Sequence, residues 1–135
     1  YAFFRLTELG LNCVCNPDAH MNAAILTHPR PGDVILCVSQ SGETADLYKQ
    51  IEMAYQRRIP AILITGAPGS SIARLSQVIL STVSEERNIL TDALNSRVSQ
   101  FCLIDALFSM ISIANANDML PRLQDTRNTF KKYKL

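Results

Sequence analysis

Two short, uninterrupted apolar runs constrain the fold of this chain more than any other feature. Residues 33–38 (DVILCV) and 61–65 (AILIT) lack the polar–apolar alternation of a strand that faces solvent on one side. Such runs predict strands buried on both faces, as in a parallel sheet. Between them, residues 44–58 place apolar side chains at helical spacing before Pro60. This order predicts an α/β fold.

The other segments extend the same alternation of helices and strands. Helices are predicted over residues 1–9, 70–75, 92–115 and 118–133, with Ser70 as the N-cap of the second. A further short helix is predicted directly after the turn 16–18, with Asp18 as its N-cap. Further strands are predicted over residues 11–15 and 78–83. We expect a three-layer α/β/α parallel sheet whose first strand, with the turn after it, lies outside this sequence.

Composition limits the range of partners. The 135 residues suit one domain, and 13 basic against 12 acidic side chains give a net charge of +1. This balance argues against nucleic-acid binding by the segment itself. Residues 1–5 lack the features of a signal peptide, and the cysteine pattern fits a reducing cytoplasm. The four cysteines lie in apolar runs and are expected to be reduced and buried, without metal or disulfide: Cys13, Cys15, Cys37 and Cys102.

Three hydroxyls and a glycine follow the first apolar run. Ser39, Ser41 and Thr44 can each donate a hydrogen bond. Gln40 and Gly42 are expected to add backbone donors, since glycine allows the backbone to approach a ligand closely. Ligands of open parallel sheets bind beyond the carboxyl ends of the strands, and the helix that begins here adds unsatisfied N–H groups. The pattern predicts a cradle for a phosphate. The alternative is a helix start that is only capped.

The absence of a nearby lysine indicates which kind of phosphate is bound. A nucleotide-cleaving P-loop needs G-K-[ST] to neutralise the transferring phosphoryl group, and the sequence has no such motif. It also has no G-x-G-x-x-G, so a dinucleotide cofactor is not expected. The loop suits a phosphomonoester that is held and not cleaved.

The segment SQSGET after a buried strand resembles the S-x-S-G-x-T signature of the sugar isomerase (SIS) domain. PGDVILCVSQSGET, RRIPAILITGAPGSSIARLSQVIL, SEE and SRVSQFCLIDALF follow in order the pattern of the sugar-phosphate-sensing domain of RpiR-type transcription regulators. The resemblance implies one SIS domain over residues 1–135, flavodoxin-like in strand order. It implies that DNA is bound only by a separate amino-terminal helix-turn-helix domain. The family's G-x-G-x-S turn is absent, so one phosphate-side serine is missing.

A phosphosugar isomerase of the same family is the competing interpretation. Such enzymes move a proton with a positioned base, commonly Glu or His. Glu86, after the last predicted strand, either hydrogen-bonds sugar hydroxyls or is a solvated loop carboxylate. His20 either faces the pocket or lies on the surface, and Arg97 either reaches the ligand or caps the preceding loop. No acid and base occur at a convincing spacing, so we favour a sensor and assign no catalytic residue.

Between Val98 and Ile113 of the predicted helix 92–115, apolar side chains cover nearly every face. Such a helix must be buried all round, with one face on the sheet and another against a second subunit. A membrane span is the alternative, but Gln100, Asp105 and three serines interrupt the run. We therefore predict a homodimer or higher homo-oligomer and no membrane segment.

Overall fold

The described chain divides into two units. This computed structural model describes residues 1–82 and 89–133, with side chains in the second range described from residue 94 onward. One unit is Asn16–Gln100, and the other joins Tyr1–Cys15 to Phe101–Leu135. The described residues form six helices, in chain order α1 (Ala2–Glu8), α2 (Ala19–Thr27), α3 (Ala45–Gln56), α4 (Ser71–Leu75), α5 (Ile89–Ala114) and α6 (Ala116–Lys132).

The first unit is built on a parallel sheet. Its strands are β1 (Ile35–Val38), β2 (Ala61–Thr65) and β3 (Val78–Ser81), in the spatial order β1-β2-β3. Both neighbouring pairs are parallel, and Leu63 pairs with Cys37 on one side and Ile79 on the other. The carboxyl ends of the three strands therefore meet at one edge of the sheet. This parallel sheet flanked by helices confirms the predicted α/β class and is consistent with the three-layer fold.

The core of this unit lies around β2. Leu63 and Ile64 are completely buried, because β2 alone among the described strands has a neighbour on each side. Ile51 of α3 and Ile72 of α4 join Leu63 in one buried apolar cluster. The predicted amphipathic character of the helix before Pro60 is thereby confirmed.

Two helices begin at the predicted caps. The Asp18 carboxylate accepts a hydrogen bond from the Met21 N–H at 2.9 Å, at the start of α2. The Ser70 hydroxyl accepts from the Ala73 N–H at 3.4 Å, at the start of α4. Both satisfy a donor that the helix itself leaves unpaired.

The second unit contains α1, α6 and the last part of α5, and it is stabilised by one arginine together with an apolar cluster. Arg5 of α1 forms ion pairs with Glu8 at 2.8 Å and with Asp105 of α5 at 3.0 Å. Its guanidinium also lies 3.6 Å from the centroid of the Phe108 ring, a cation–π contact. Phe108 packs with the buried Leu9 and Leu123.

Two predictions about strands are wrong. Residues 11–15 lie outside helix and strand, because no strand pairs with them in the described part of the chain and an extended segment needs such a partner. Residues 33–38 are not buried on both faces. β1 is an edge strand of the described sheet, so Ile35 and Leu36 are half-buried and Val38 is exposed.

The expected burial of the cysteines is also mostly wrong. All four are free thiols, but only Cys37 is buried, whereas Cys13 is half-buried and Cys15 and Cys102 are exposed. Cys37 differs because it lies on β1 against the apolar cluster around β2. Cys102 lies instead on a helix that is largely exposed.

The long helix α5 is not buried all round within a single chain. Only 17% of the apolar segment Leu94–Ala114 of this helix is buried. Met110 is 69% exposed and Ile113 is 76% exposed. This segment is long and apolar enough to cross a membrane, but the core helices of soluble proteins also meet these two criteria. The prediction of complete burial is therefore not met by the contacts of this chain alone.

Candidate functional site

The segment Ser39–Thr44, here called the SQSGET loop, lies at the carboxyl edge of the sheet. It follows β1 directly, and the Ser39 N–H donates to the Ile64 carbonyl of β2 at 3.0 Å. The Gly66 N–H, just after β2, donates to the Gln40 carbonyl at 3.1 Å. These two bonds place the loops that follow β1 and β2 side by side, at the edge where parallel sheets bind ligands.

The two serine hydroxyls brace the loop from within. The Ser39 hydroxyl, on a residue only 6% exposed, accepts from the Gly42 N–H at 3.1 Å. The Ser41 hydroxyl accepts from the Glu43 N–H at 3.3 Å and belongs to an exposed residue. Each bond uses a lone pair of the hydroxyl and leaves its hydrogen able to donate. The same groups therefore shape the loop and retain donors for an anion.

Gly42 is buried, and the local geometry requires glycine there. Its φ is +62°, and a Cβ on it would overlap the Ser70 hydroxyl and lie 2.5 Å from the Ser70 Cβ. The Gly42 carbonyl accepts from the Ile72 N–H at 3.1 Å. The close approach at this glycine is thus to α4. Its N–H, expected to be a ligand donor, has a partner in Ser39, and its role toward a ligand stays a prediction.

The start of α3 differs from the starts of α2 and α4. Thr44 is its N-cap residue, but the Thr44 side chain makes no capping hydrogen bond within the described residues. Asp18 and Ser70, by contrast, both cap with their side chains. The hydroxyl of Thr44 and the first N–H groups of α3 are therefore left for another acceptor, at the positive end of the helix dipole.

The negative charge inside the loop is held elsewhere. A Glu43 carboxylate oxygen accepts from the Ser71 N–H at 2.8 Å, at the start of α4. This hydrogen bond, with Arg74 close by, lowers the pKa of Glu43 below its usual value. The charge is thereby paired with the amino end of α4, which reduces its repulsion of an anion at the loop.

Sequence reasoning missed the contact that joins the loop to α5. The side-chain amide of Gln100 donates to the side-chain oxygen of Gln40 at 2.9 Å. The amide of Gln40 also covers Gly66, where a Cβ would overlap Nε2 and lie 2.8 Å from Cδ. Neither Gln100 nor Glu43 carries a local sequence signal for these contacts, because their partners lie 60 and 28 residues away.

Among the described residues, His20 and Arg97 form no hydrogen bond with the loop. His20 is exposed in the first turn of α2, and Arg97 is exposed on α5. Glu86 lies outside the described residues. Among the residues that are described, no group of His, Cys, Asp and Glu side chains is arranged to hold a metal ion.

Comparison with known families identifies the fold behind this loop. The SIS domain profile matches residues 1–110. The chain belongs to the SIS domain family. The family resemblance predicted from the SQSGET loop is confirmed, and the loop lies where the predicted fold places it.

Two similar proteins are HTH-type transcription regulators. The RpiR regulator of Escherichia coli, of the helix-turn-helix (HTH) type, is 34% identical over 116 residues, which are 84% of this chain and 38% of that protein. An uncharacterised HTH-type regulator of Thermotoga maritima is 34% identical over 111 residues, 82% of this chain and 40% of that protein. This chain thus spans about two fifths of the length of these relatives.

Solved structures confirm the fold. The Vibrio vulnificus NanR protein, complexed with ManNAc-6P, aligns with a TM-score of 0.90 at 25% identity, over 99% of this chain and 50% of that one. The sugar isomerase domain of the RpiR transcription factor from Sphaerobacter thermophilus aligns at 0.72 and 18% identity, over 94% of this chain and 69% of that one. The second likeness shows the fold alone.

Proposed function

We propose that this chain is the phosphosugar-binding effector domain of a bacterial transcription regulator. It binds the phosphate group of a sugar phosphate and thereby controls DNA binding by a separate helix-turn-helix domain. The relatives that are HTH-type regulators, and the likeness to NanR complexed with ManNAc-6P, support this assignment. A cytoplasmic location and a domain extending over residues 1–135 are parts of the same proposal.

The observation that carries the proposal is the SQSGET loop at the start of α3. Ser39, Ser41 and Thr44 supply hydroxyl donors, and the α3 amino end has no side-chain cap among the described residues. Together they form a cradle of hydroxyl donors at the positive end of the α3 dipole, without Lys or Arg in the loop. Such a cradle holds a phosphomonoester by fixed donors and does not activate it for transfer.

Sensing without turnover is the second part of the proposal. An isomerase needs a base positioned to take a proton from the sugar, whereas no acid and base occur at a convincing spacing in the sequence, and the relatives are HTH-type regulators. Incubation of the full-length regulator with ketose 6-phosphates tests this point. We expect no aldose product, and steady formation of aldose would replace the sensor assignment with the isomerase.

A homodimer is the third part. The described part of α5 exposes large apolar side chains, including Leu94, Val98, Met110 and Ile113. Its polar residues Gln100 and Asp105 are bonded to side chains of the same chain, which favours packing in protein over insertion in lipid. Light scattering at micromolar concentration should give twice the monomer mass or more, and a stable monomer would contradict this part.

The phosphate site is tested by calorimetry on wild type and Ser41→Ala. Removing one hydroxyl that bonds a phosphate should weaken binding roughly tenfold to a hundredfold, about 1.5–3 kcal/mol. ManNAc-6P, glucosamine-6-phosphate and fructose-6-phosphate are suitable probes.

Ser109→Ala is the matched control. It removes an exposed hydroxyl that bonds only its own helix, at the Asp105 carbonyl. If Ser41→Ala binds as tightly as wild type and Ser109→Ala, the SQSGET loop is not the phosphate site.

A further inference from the structure

The side chain of Gln40 is confined on two sides. On one side its oxygen accepts from the Gln100 amide of α5 at 2.9 Å. On the other side its Nε2 lies over the backbone of Gly66 so closely that a methyl group there would overlap it. An exposed glutamine normally samples several rotamers, at an entropic cost when it is fixed. Here two neighbours define one orientation.

The contact with Gln100 also determines which end of the Gln40 amide is free. An amide has an oxygen that accepts and a nitrogen that donates. Because Gln100 donates to Oε1, the Nε2 end of Gln40 remains at the side of the loop that follows β2. Within the described chain Nε2 has no hydrogen-bond partner, so this end of the amide is left to donate to a ligand at the carboxyl edge of the sheet.

We propose that Gln100 is a positioning residue for the phosphate site. It acts through Gln40, whose amide it holds with the donor end available to the phosphate group of the ligand. This inference rests on the proposed phosphosugar function of the loop and adds to it a residue on α5. Without the Gln100 donor, the Gln40 amide is free to rotate and to present its oxygen, which repels a phosphate.

The same contact ties ligand occupancy to α5. Gln100 is followed on this helix by the exposed Phe101, and Val98, two residues before it, is also exposed. A phosphate that binds the Nε2 end of Gln40 stabilises the bond from Gln100 to Oε1, because hydrogen bonds to the two ends of one amide strengthen each other. Ligand binding is therefore expected to slow amide exchange in α5 around Gln100.

A double-mutant cycle in the full-length regulator tests the proposal. Sugar-phosphate affinity is measured by calorimetry for wild type, Gln100→Leu, Gln40→Leu and the double variant, with ManNAc-6P, glucosamine-6-phosphate and fructose-6-phosphate as probes. Gln100→Leu should weaken binding about three- to tenfold, the effect of one hydrogen bond. Because Gln100 acts through Gln40, the double variant should bind no more weakly than Gln40→Leu.

Two further variants separate positioning from folding. Gly66→Ala should weaken binding to a similar degree, because its methyl group displaces only the flexible end of Gln40. Ser99→Ala, which removes a hydroxyl bonded to its own helix at the Asn95 carbonyl, should bind as wild type does. Melting temperatures and hydrogen exchange of α5 with and without ligand are recorded for each variant.

The outcomes distinguish this inference from the function on which it rests. If wild type binds none of the sugar phosphates, the proposed function is wrong and the role of Gln100 fails with it. If wild type binds but Gln100→Leu binds equally well, or if the two leucine effects simply add, only the positioning role is overturned. Equal exchange in α5 with and without ligand would contradict the link to that helix.

Discussion

Replacing Gly42 by alanine should destabilise the protein through two separable effects. The first is the backbone, because φ is +62° and L-residues with a Cβ are strained in that region. The second is overlap, since the new methyl group would fall on the hydroxyl of Ser70 and 2.5 Å from its Cβ. The Ser70 Cβ is fixed to the backbone at the start of α4, so this overlap cannot be relieved by a change of rotamer alone.

Each effect has an expected size. A left-handed backbone at a residue with a Cβ costs about 1–2 kcal/mol, and overpacking of a buried site costs about 1–3 kcal/mol. Gly42→Ala should therefore lower the free energy of unfolding by roughly 2–5 kcal/mol, a large share of the 5–15 kcal/mol typical of a domain.

Two other glycines are matched controls. Gly32 has a φ of +89°, but no atom of the described residues lies within 4 Å of the position that a Cβ would take, so Gly32→Ala measures the backbone effect alone, about 1–2 kcal/mol. Gly69 has no left-handed φ, and no described atom would lie close to its Cβ, so Gly69→Ala should be neutral or slightly stabilising.

The free energy of unfolding of the three alanine variants is measured by urea unfolding, monitored by circular dichroism. The order of stability should be Gly69→Ala, then Gly32→Ala, then Gly42→Ala, with similar m-values. Adding Ser70→Gly to Gly42→Ala should recover the overlap part, because glycine at an N-cap costs only a few tenths of a kcal/mol. If Gly42→Ala costs no more than Gly32→Ala, the packing of the loop on α4 is not as described.

Two further predictions concern titratable groups. Burial raises the pKa of Cys37 to about 11. Iodoacetamide should therefore modify the exposed Cys102 in the folded protein and Cys37 only after unfolding, as measured by mass spectrometry. Modification of Cys37 in the folded protein would refute its burial. Hydrogen bonds from Tyr1 and Arg5 lower the pKa of Asp105 below its usual value, so its contribution to stability is present above the unfolded pKa and is lost as the pH falls through the lower folded pKa. Thermal melts between about pH 5 and pH 2 should therefore fall less steeply for Asp105→Asn than for wild type, and parallel curves would show that the contact adds nothing.

The parts of the fold that the sequence predicts correctly are those decided by nearby residues. An N-cap depends on a side chain and an N–H three positions later, so Asp18 and Ser70 are identifiable without any knowledge of the fold. The SQSGET loop is identifiable for the same reason, since its hydroxyls and glycine are consecutive. Its place at the carboxyl edge follows from the parallel order of the strands.

The parts that the sequence does not predict depend on which segments become neighbours. The burial of β1 depends on whether strands lie on both of its sides, and the exposure of α5 depends on what packs against it. Glu43 and Gln100 are ordinary polar residues in their local context. Their roles arise only when the sheet brings Ser71 and Gln40 beside them.

The contacts of the SQSGET loop also bear on the proposed binding of a phosphate. The Ser39 and Ser41 hydroxyls order the loop by accepting hydrogen bonds from backbone N–H groups, and Gly42 packs closely against the start of α4. The conformational entropy of the loop is thus lost during folding and not again when a ligand binds, which favours affinity for a small anion. The same arrangement links stability to recognition. A substitution that loosens the contact between Gly42 and α4 should weaken phosphate binding even without a direct contact between Gly42 and the ligand. Thr44→Ala should weaken binding with little effect on stability, because the Thr44 hydroxyl caps nothing in the described chain.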